Sequence, residues 1–347
     1  MLAQIRQEYP DDFRLVYRHF PLVDIHDKAQ LSAEAAEAAG AQGKFWEMHE
    51  LLYETHSAWA DLSPADFRTR LDAYAEEIGL DTQQFSADLD SGKFTPKVQD
   101  AFNAAVSIPL PGTPFLLLNG IPYQGPQEHW AFAALIKLQR LTERQYAAAP
   151  PDIIDPFRQY FATLHTAKGD VVIQLFAEKA PLTVNNFVFL ARVGWFNNVT
   201  FHRVIPGFVV QAGDPTGTGF GGPGYFIPDE INPDLKFEGA GWVGMANAGQ
   251  NTNGSQFFIT LDPASAVLYD PPGQNTTPVP SATATAEYNQ LVQSLRDAQA
   301  NLNGKYTLFG KVIQGMDVVN KLTPRNPSAD PEAPPGDVIL SVTIEEK

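Results

Sequence analysis

From residue 160 onward the apolar residues of this chain come in short runs parted by glycine and proline. The runs are 161–166, 170–176, 201–205, 208–212, 242–246, 256–261, 306–312 and 338–345. Each is too short for an ordinary helix, and most are rich in valine, isoleucine and phenylalanine, so each reads as a strand. Many short strands joined by glycine turns build antiparallel barrels or sandwiches. Helical spacing interrupts the series at 181–193 and 316–322. The expectation from this pattern is an all-β barrel or sandwich interrupted by two helices.

Residues 1–146 follow a different pattern. Residues 28–41 are alanine-rich and helical, and 43–56 place Phe45, Met48, Leu51 and Leu52 on one helical face. Ser63 followed by Pro64 marks a helix start, the serine as cap and the proline in the first turn. Alternation of Phe13, Leu15 and Tyr17 predicts a strand over 12–22. Residues 113–120 predict a buried strand opened by proline, and 128–144 a final amphipathic helix. The alanine- and proline-rich stretch 147–156 breaks both helix and strand. The expected domains are therefore 1–146 and 159–347, with a linker at 147–158. Inside the second domain, 262–301 reads as an insertion. Its part 269–286 is rich in proline, serine, threonine and alanine and predicts a mobile loop. Beyond it Tyr288, Leu291, Val292, Leu295 and Leu302 fall near helical spacing.

With 347 residues and 44% hydrophobic content the chain can bury two cores. A net charge of -16 disfavours nucleic-acid and anionic-membrane partners, which it would repel. No apolar run is long enough to span a bilayer, so no membrane insertion is expected. The compartment stays open: cytoplasmic as the chain stands, cell envelope or extracellular if a start lies upstream. The chain contains no cysteine, which excludes disulfides, thiolate catalysis and cysteine–zinc sites within it. His49 and His56 are seven apart on a predicted helix, whereas zinc helices more often pair histidines four apart. No metal is expected from them, nor from His19 and His26. Gly217-Thr218-Gly219-Phe220-Gly221-Gly222 has dinucleotide-loop spacing but runs into Pro223-Gly224 instead of a helix. No cofactor is expected.

Three blocks carry the chemistry: Phe201-His202-Arg203-Val204-Ile205-Pro206-Gly207-Phe208-Val209-Val210-Gln211, Gly244-Met245-Ala246-Asn247-Ala248-Gly249 and Asn253-Gly254-Ser255-Gln256-Phe257-Phe258-Ile259. They read as neighbouring strands that aim a few chosen side chains at one face. Singly, Phe208 and Phe258 are ordinary core residues and Arg203 a surface ion pair. Together and in this order the blocks resemble the cyclophilins, peptidyl-prolyl cis/trans isomerases that act on proline-containing peptides and on unfolded or folding proteins. The resemblance spans about 160–345 and implies a closed antiparallel β-barrel capped by two helices. It implies Arg203 as catalytic cation and Gln211 as the group orienting substrate and arginine. It places Phe208, Val209, Phe258 and Leu302 around the proline, with Tyr306 on the same wall. Ala246, Asn247 and Ala248 would grip the substrate backbone, with Gln256 beside them. The chain departs from the family's usual residues at Val209 (commonly methionine), Tyr306 (commonly histidine) and Asn301 (a tryptophan in many members, which contacts cyclosporin). A binding module without useful turnover is the alternative.

Tyr17-Arg18-His19-Phe20-Pro21-Leu22, residues 33–40 and Gln42-Gly43-Lys44-Phe45-Trp46-Glu47-Met48-His49 resemble the DsbA-type thiol oxidoreductases. The resemblance implies an α/β thioredoxin-like domain with a helical insertion, and a cis proline in Gly112-Thr113-Pro114. The first strand and the Cys-x-x-Cys motif of that family are absent from the sequence, so the domain reads as incomplete. A thiol–disulfide oxidoreductase is the alternative if the true start lies upstream and adds that motif.

Overall fold

The computed structural model describes residues 1–108, 110–266 and 282–347. In chain order the helices are α1 (Leu2–Glu8), α2 (Ala29–Ala41), α3 (Phe45–Glu54), α4 (His56–Trp59), α5 (Pro64–Glu77), α6 (Thr82–Asp90), α7 (Thr95–Val106), α8 (His129–Leu141), α9 (Pro181–Arg192), α10 (Ala282–Ala300) and α11 (Met316–Val319). The strands are β1 (Leu117–Leu118), β2 (Ile121–Pro122), β3 (Tyr160–Thr166), β4 (Gly169–Leu175), β5 (Val199–Thr200), β6 (Arg203–Ile205), β7 (Val209–Ala212), β8 (Trp242–Met245), β9 (Phe257–Thr260), β10 (Leu308–Gln314) and β11 (Val338–Glu346).

Two compact units result: Arg14–Pro126, and Met1–Phe13 together with Gln127–Lys347. This division differs from the expected boundary after 146, because α1 and α8 lie with the sheet-bearing unit. There Arg140 Nε donates to Asp12 Oδ1 at 2.9 Å, and Leu141 enters the core of the sheet. The stretch expected as a linker is strapped down. Asn185 Oδ1 accepts from Ile153 N at 2.7 Å, and its Nδ2 donates to Pro151 O at 2.9 Å.

The helical unit is built on α2. Its alanines Ala35, Ala36, Ala38 and Ala39 are buried, and their small side chains leave room for Met48, Leu52, Phe67, Leu71 and Phe85. Ser63 Oγ caps α5 by accepting from Asp66 N at 3.2 Å. The peptide bond Thr113–Pro114 is cis. The predicted strand over 12–22 does not form, because alternation makes a strand only where a partner strand lies beside it. The predicted strand over 113–120 shortens to β1, which pairs with β2 across a turn with Asn119 and Gly120 at φ 50° and 84°. His19 Nε2 meets Glu37 Oε1 at 3.1 Å, and His49 packs among the rings of Tyr17, Phe45, Trp46 and Tyr53.

In the other unit the strands order as β5-β11-β3-β4-β10-β8-β9-β7-β6, with antiparallel pairing throughout. The sheet is a curled half-barrel, which corrects the expected closed barrel. Its two edges, β5 and β6, are consecutive in sequence, with only Phe201 and His202 between them. No ladder joins the edges. Phe201 N bonds to Asp337 O at 2.8 Å, and Val204 bridges to Arg325, so irregular chain fills the seam. Helix α9 packs into the core of the sheet through Val184, Phe187 and Val188, with Phe187 stacked on Phe196 and edge-on to Phe257. α11 is shorter than the expected 316–322. The predicted loop over 269–286 lies, up to residue 281, outside the described residues; α10 follows it.

Candidate active site

Strand register places the decisive residues in one row. Arg203 on β6 lies opposite Gln211 on β7, Gln211 opposite Phe258 on β9, and Phe258 opposite Gly244 on β8. Residues at one register level leave the same face of a sheet. The next level, Val204, Val210, Ile259 and Val243, points the other way and is buried in the core. Period-two alternation thus sends the apolar set inside and the row from Arg203 to Gly244 to the outer face.

An apolar cluster lies along that row. Val209, Phe258, Leu302, Leu308 and Phe237 form its buried part, with Phe208, Ala246 and Tyr306 half-buried around them. The Phe258 ring lies 5.3 Å from Phe237 and 5.6 Å from Tyr306, edge-on to the latter at 90°. Gly244 leaves room for both phenylalanines: a Cβ there would sit 2.6 Å from Phe258 Cζ and 2.7 Å from Phe237 Cζ. Gly207, at φ 75°, turns the chain between β6 and β7 so that Phe208 comes back beside Arg203. The guanidinium carbon of Arg203 is 5.9 Å from the Phe208 ring centroid.

Arg203 is half-buried, yet among the described residues its side chain makes no hydrogen bond or ion pair. Burial lowers its pKa, while the nearby Tyr306 works the other way. An arginine that is partly desolvated and unpaired keeps its donors for a ligand. Gln211 Nε2 donates to Gln256 Oε1 at 2.9 Å, and Gln256 Nε2 reaches the carbonyls of Gly219 and Gly221, both at 2.9 Å. That chain of amides holds Gln211 beside the arginine. Ala246 N donates to Gln256 O and Ala248 N to Thr252 Oγ1, each at 2.9 Å, while Asn247 Nδ2 faces Asp229 and Asn253. Behind Arg203, His202 is buried with neither ring nitrogen bonded to a described group. Its burial pushes its pKa down to about 4, against the pull of Asp214 and with Arg325 and Arg203 adding to the fall. No three acidic or histidine side chains converge on a cation-sized point among the described residues.

Residues 161–344 match the family described as cyclophilin type peptidyl-prolyl cis-trans isomerase/CLD, over more than half of the chain. The chain belongs to this family. The C-terminal unit of this cyclophilin-type chain is therefore a peptidyl-prolyl cis-trans isomerase, acting on proline-containing peptides and proteins. Residues 1–138 match a thioredoxin family, so a thioredoxin-like domain precedes it. Peptidyl-prolyl cis-trans isomerase-like 1 of Mus musculus is 41% identical over 179 residues, which cover 51% of this chain and 85% of that one. Peptidyl-prolyl cis-trans isomerase ppi1 of Schizosaccharomyces pombe is 40% identical over 185 residues, 52% of this chain and 97% of that one. A crystal structure of a cyclophilin type isomerase from Cryptosporidium parvum is 33% identical, covers 55% of this chain and 99% of that one, and superposes with a TM-score of 0.41. No helix among the described residues is long and apolar enough to cross a membrane.

Every site residue expected from sequence other than Asn247 and Ala248 lies in the row, the apolar cluster or the Gln211–Gln256 amide chain, and Asn247 bonds instead to Asp229 and Asn253. Ala248 is an exposed neighbour of that set. Sequence reasoning missed Phe237 and Gly244. The glycine stood in a quoted block, but nothing in a single sequence says that two rings need its missing side chain.

Proposed function

We propose that Arg203 is the catalytic cation of this isomerase. Rotation about an X-Pro bond crosses a barrier of roughly 18–20 kcal/mol, which is lost amide resonance. At the top of the barrier the prolyl nitrogen is pyramidal and holds its lone pair. A donor aimed at that nitrogen stabilises the twisted amide more than the planar one, as catalysis requires. No covalent intermediate is needed. The observation that carries this assignment is the half-buried guanidinium, without a hydrogen-bond or ion-pair partner among the described residues, one register step from Gln211 and two from Phe258.

In this reading Phe208, Val209, Phe258, Leu302 and Tyr306 enclose the proline ring, and Gln211 orients substrate and arginine. Ala246, Asn247 and Ala248 grip the substrate backbone, with Gln256 fixing Gln211. The proteins served are unfolded or folding clients. We also propose the domain scheme 1–146, 147–158 and 159–347, which the two family matches at 1–138 and 161–344 support. Nuclear magnetic resonance titration with a proline tetrapeptide tests the site. Shifts centred on Arg203, Gln211, Phe258 and Leu302 are expected. Shifts centred on another face of the sheet would remove the assignment.

A further inference from the structure

Helix α10 presents a repeating face of Tyr288, Val292, Leu295, Gln299 and, two residues beyond its end, Leu302. Four of these positions are apolar or aromatic. Gln299 is the exception, and at 3% exposure it is buried. A buried amide costs stability unless both its protons are used. Here they are: Nε2 donates to Leu261 O at 2.5 Å and to Phe208 O at 3.2 Å. Phe208 O also accepts from Leu261 N at 2.9 Å, so the glutamine clips the start of β7 to the end of β9.

The rest of the stripe seats that amide. Tyr288 OH donates to Ala264 O at 2.6 Å, and Val292 is buried. Leu295 lies directly on the turn before Phe208, where a Cβ on Gly207 would come within 3.0 Å of its Cδ1. Just past Gln299 the same segment sends Leu302 into the apolar cluster, and Asn303 Oδ1 accepts from Phe237 N at 2.8 Å. Residues 299–303 thus bond to the backbone of both Phe208 and Phe237, and Leu302 packs in the same apolar cluster as these two.

We propose that Gln299 is a positioning residue of the isomerase site, which sets the width of the proline pocket by holding the Phe208 wall. The proposal rests on the pocket assignment made above. It predicts an effect on substrate binding rather than on the rotation step, since Gln299 touches neither Arg203 nor Gln211.

Gln299→Met keeps length and apolar contact and removes both donors. KM for a proline tetrapeptide should rise about fivefold or more, the worth of one such hydrogen bond, with kcat within about twofold. In a Phe208→Ala background the same substitution should add nothing to KM, because the wall it holds is gone. If Phe208→Ala raises KM and Gln299→Met does not, this proposal falls and the pocket stands. An equal rise in both backgrounds would likewise overturn it, since Gln299 would then act elsewhere. If Phe208→Ala is itself silent, the pocket assignment falls and takes the proposal with it. Should Gln299→Met not fold, Leu295→Ala loosens the same helix from its half-exposed side. The same rise in KM is expected there, and an unchanged KM counts against the proposal.

Discussion

Replacing Arg203 by alanine separates catalysis from folding. Among the described residues the half-buried guanidinium has no hydrogen-bond or ion-pair partner, and it lies 5.9 Å from the Phe208 ring centroid. A preorganised donor at the site of developing charge is worth about 3 kcal/mol, so kcat/KM should fall about 10²-fold or more. Stability should barely change. The lost cation–ring contact is worth about 0.5–1 kcal/mol, and relief of a desolvated cation offsets part of it. The assay is protease-coupled cleavage of a proline tetrapeptide, in which only the trans form is cut, run beside thermal unfolding of each variant. Arg203→Lys keeps the charge but not the planar fork and should fall between the two. A folded Arg203→Ala protein with near wild-type kcat/KM would refute the proposed mechanism. So would a loss of activity that tracks a loss of fold.

Gly244→Ala should raise KM and cost about 1–3 kcal/mol of stability, because the new methyl meets Phe258 and Phe237 at 2.6 and 2.7 Å; urea unfolding and steady-state kinetics check both, and a neutral variant would show the rings move freely. His202, with a folded pKa of about 4 against an unfolded value near 6.5, is neutral when buried. Its contribution is fully present above pH ~6.5 and is lost as pH falls toward ~4, about 3 kcal/mol in all, because only the unfolded chain takes the proton in that window. Chemical denaturation from pH 4 to 7 should show a weaker pH slope in His202→Gln than in the wild type; equal slopes would dismiss this source. Cyclosporin should inhibit at about micromolar rather than nanomolar concentration, a gap of about 4 kcal/mol, because the exposed Asn301 offers no indole face or donor. A nanomolar inhibition constant for the unmodified chain would show that another side chain makes that contact.

The amino-acid order by itself determined the strands of the isomerase unit, because glycine and proline cut the apolar runs to strand length and period-two alternation sorts their faces. It also determined Arg203, Gln211 and Phe258 as candidates, since these residues occur in short blocks whose local spacing survives folding. The two-residue β5 was invisible, being too short for any periodicity to register. Tertiary structure alone decided that the barrel stays open, because β5 and β6 are adjacent in sequence yet pair with other strands, and pairing is a relation between distant residues. It alone decided that 12–22 has no ladder despite its alternation, and that α1 and α8 lie with the sheet. Phe237, Gly244 and Gln299 belong to the same class. A buried glutamine reads as a surface residue in sequence, and a glycine as a turn. Only the carbonyls of Phe208 and Leu261 around the one, and the rings of Phe237 and Phe258 around the other, give them their roles: whether a polar group is satisfied, or a methyl has room, depends on atoms that the chain brings in from far away.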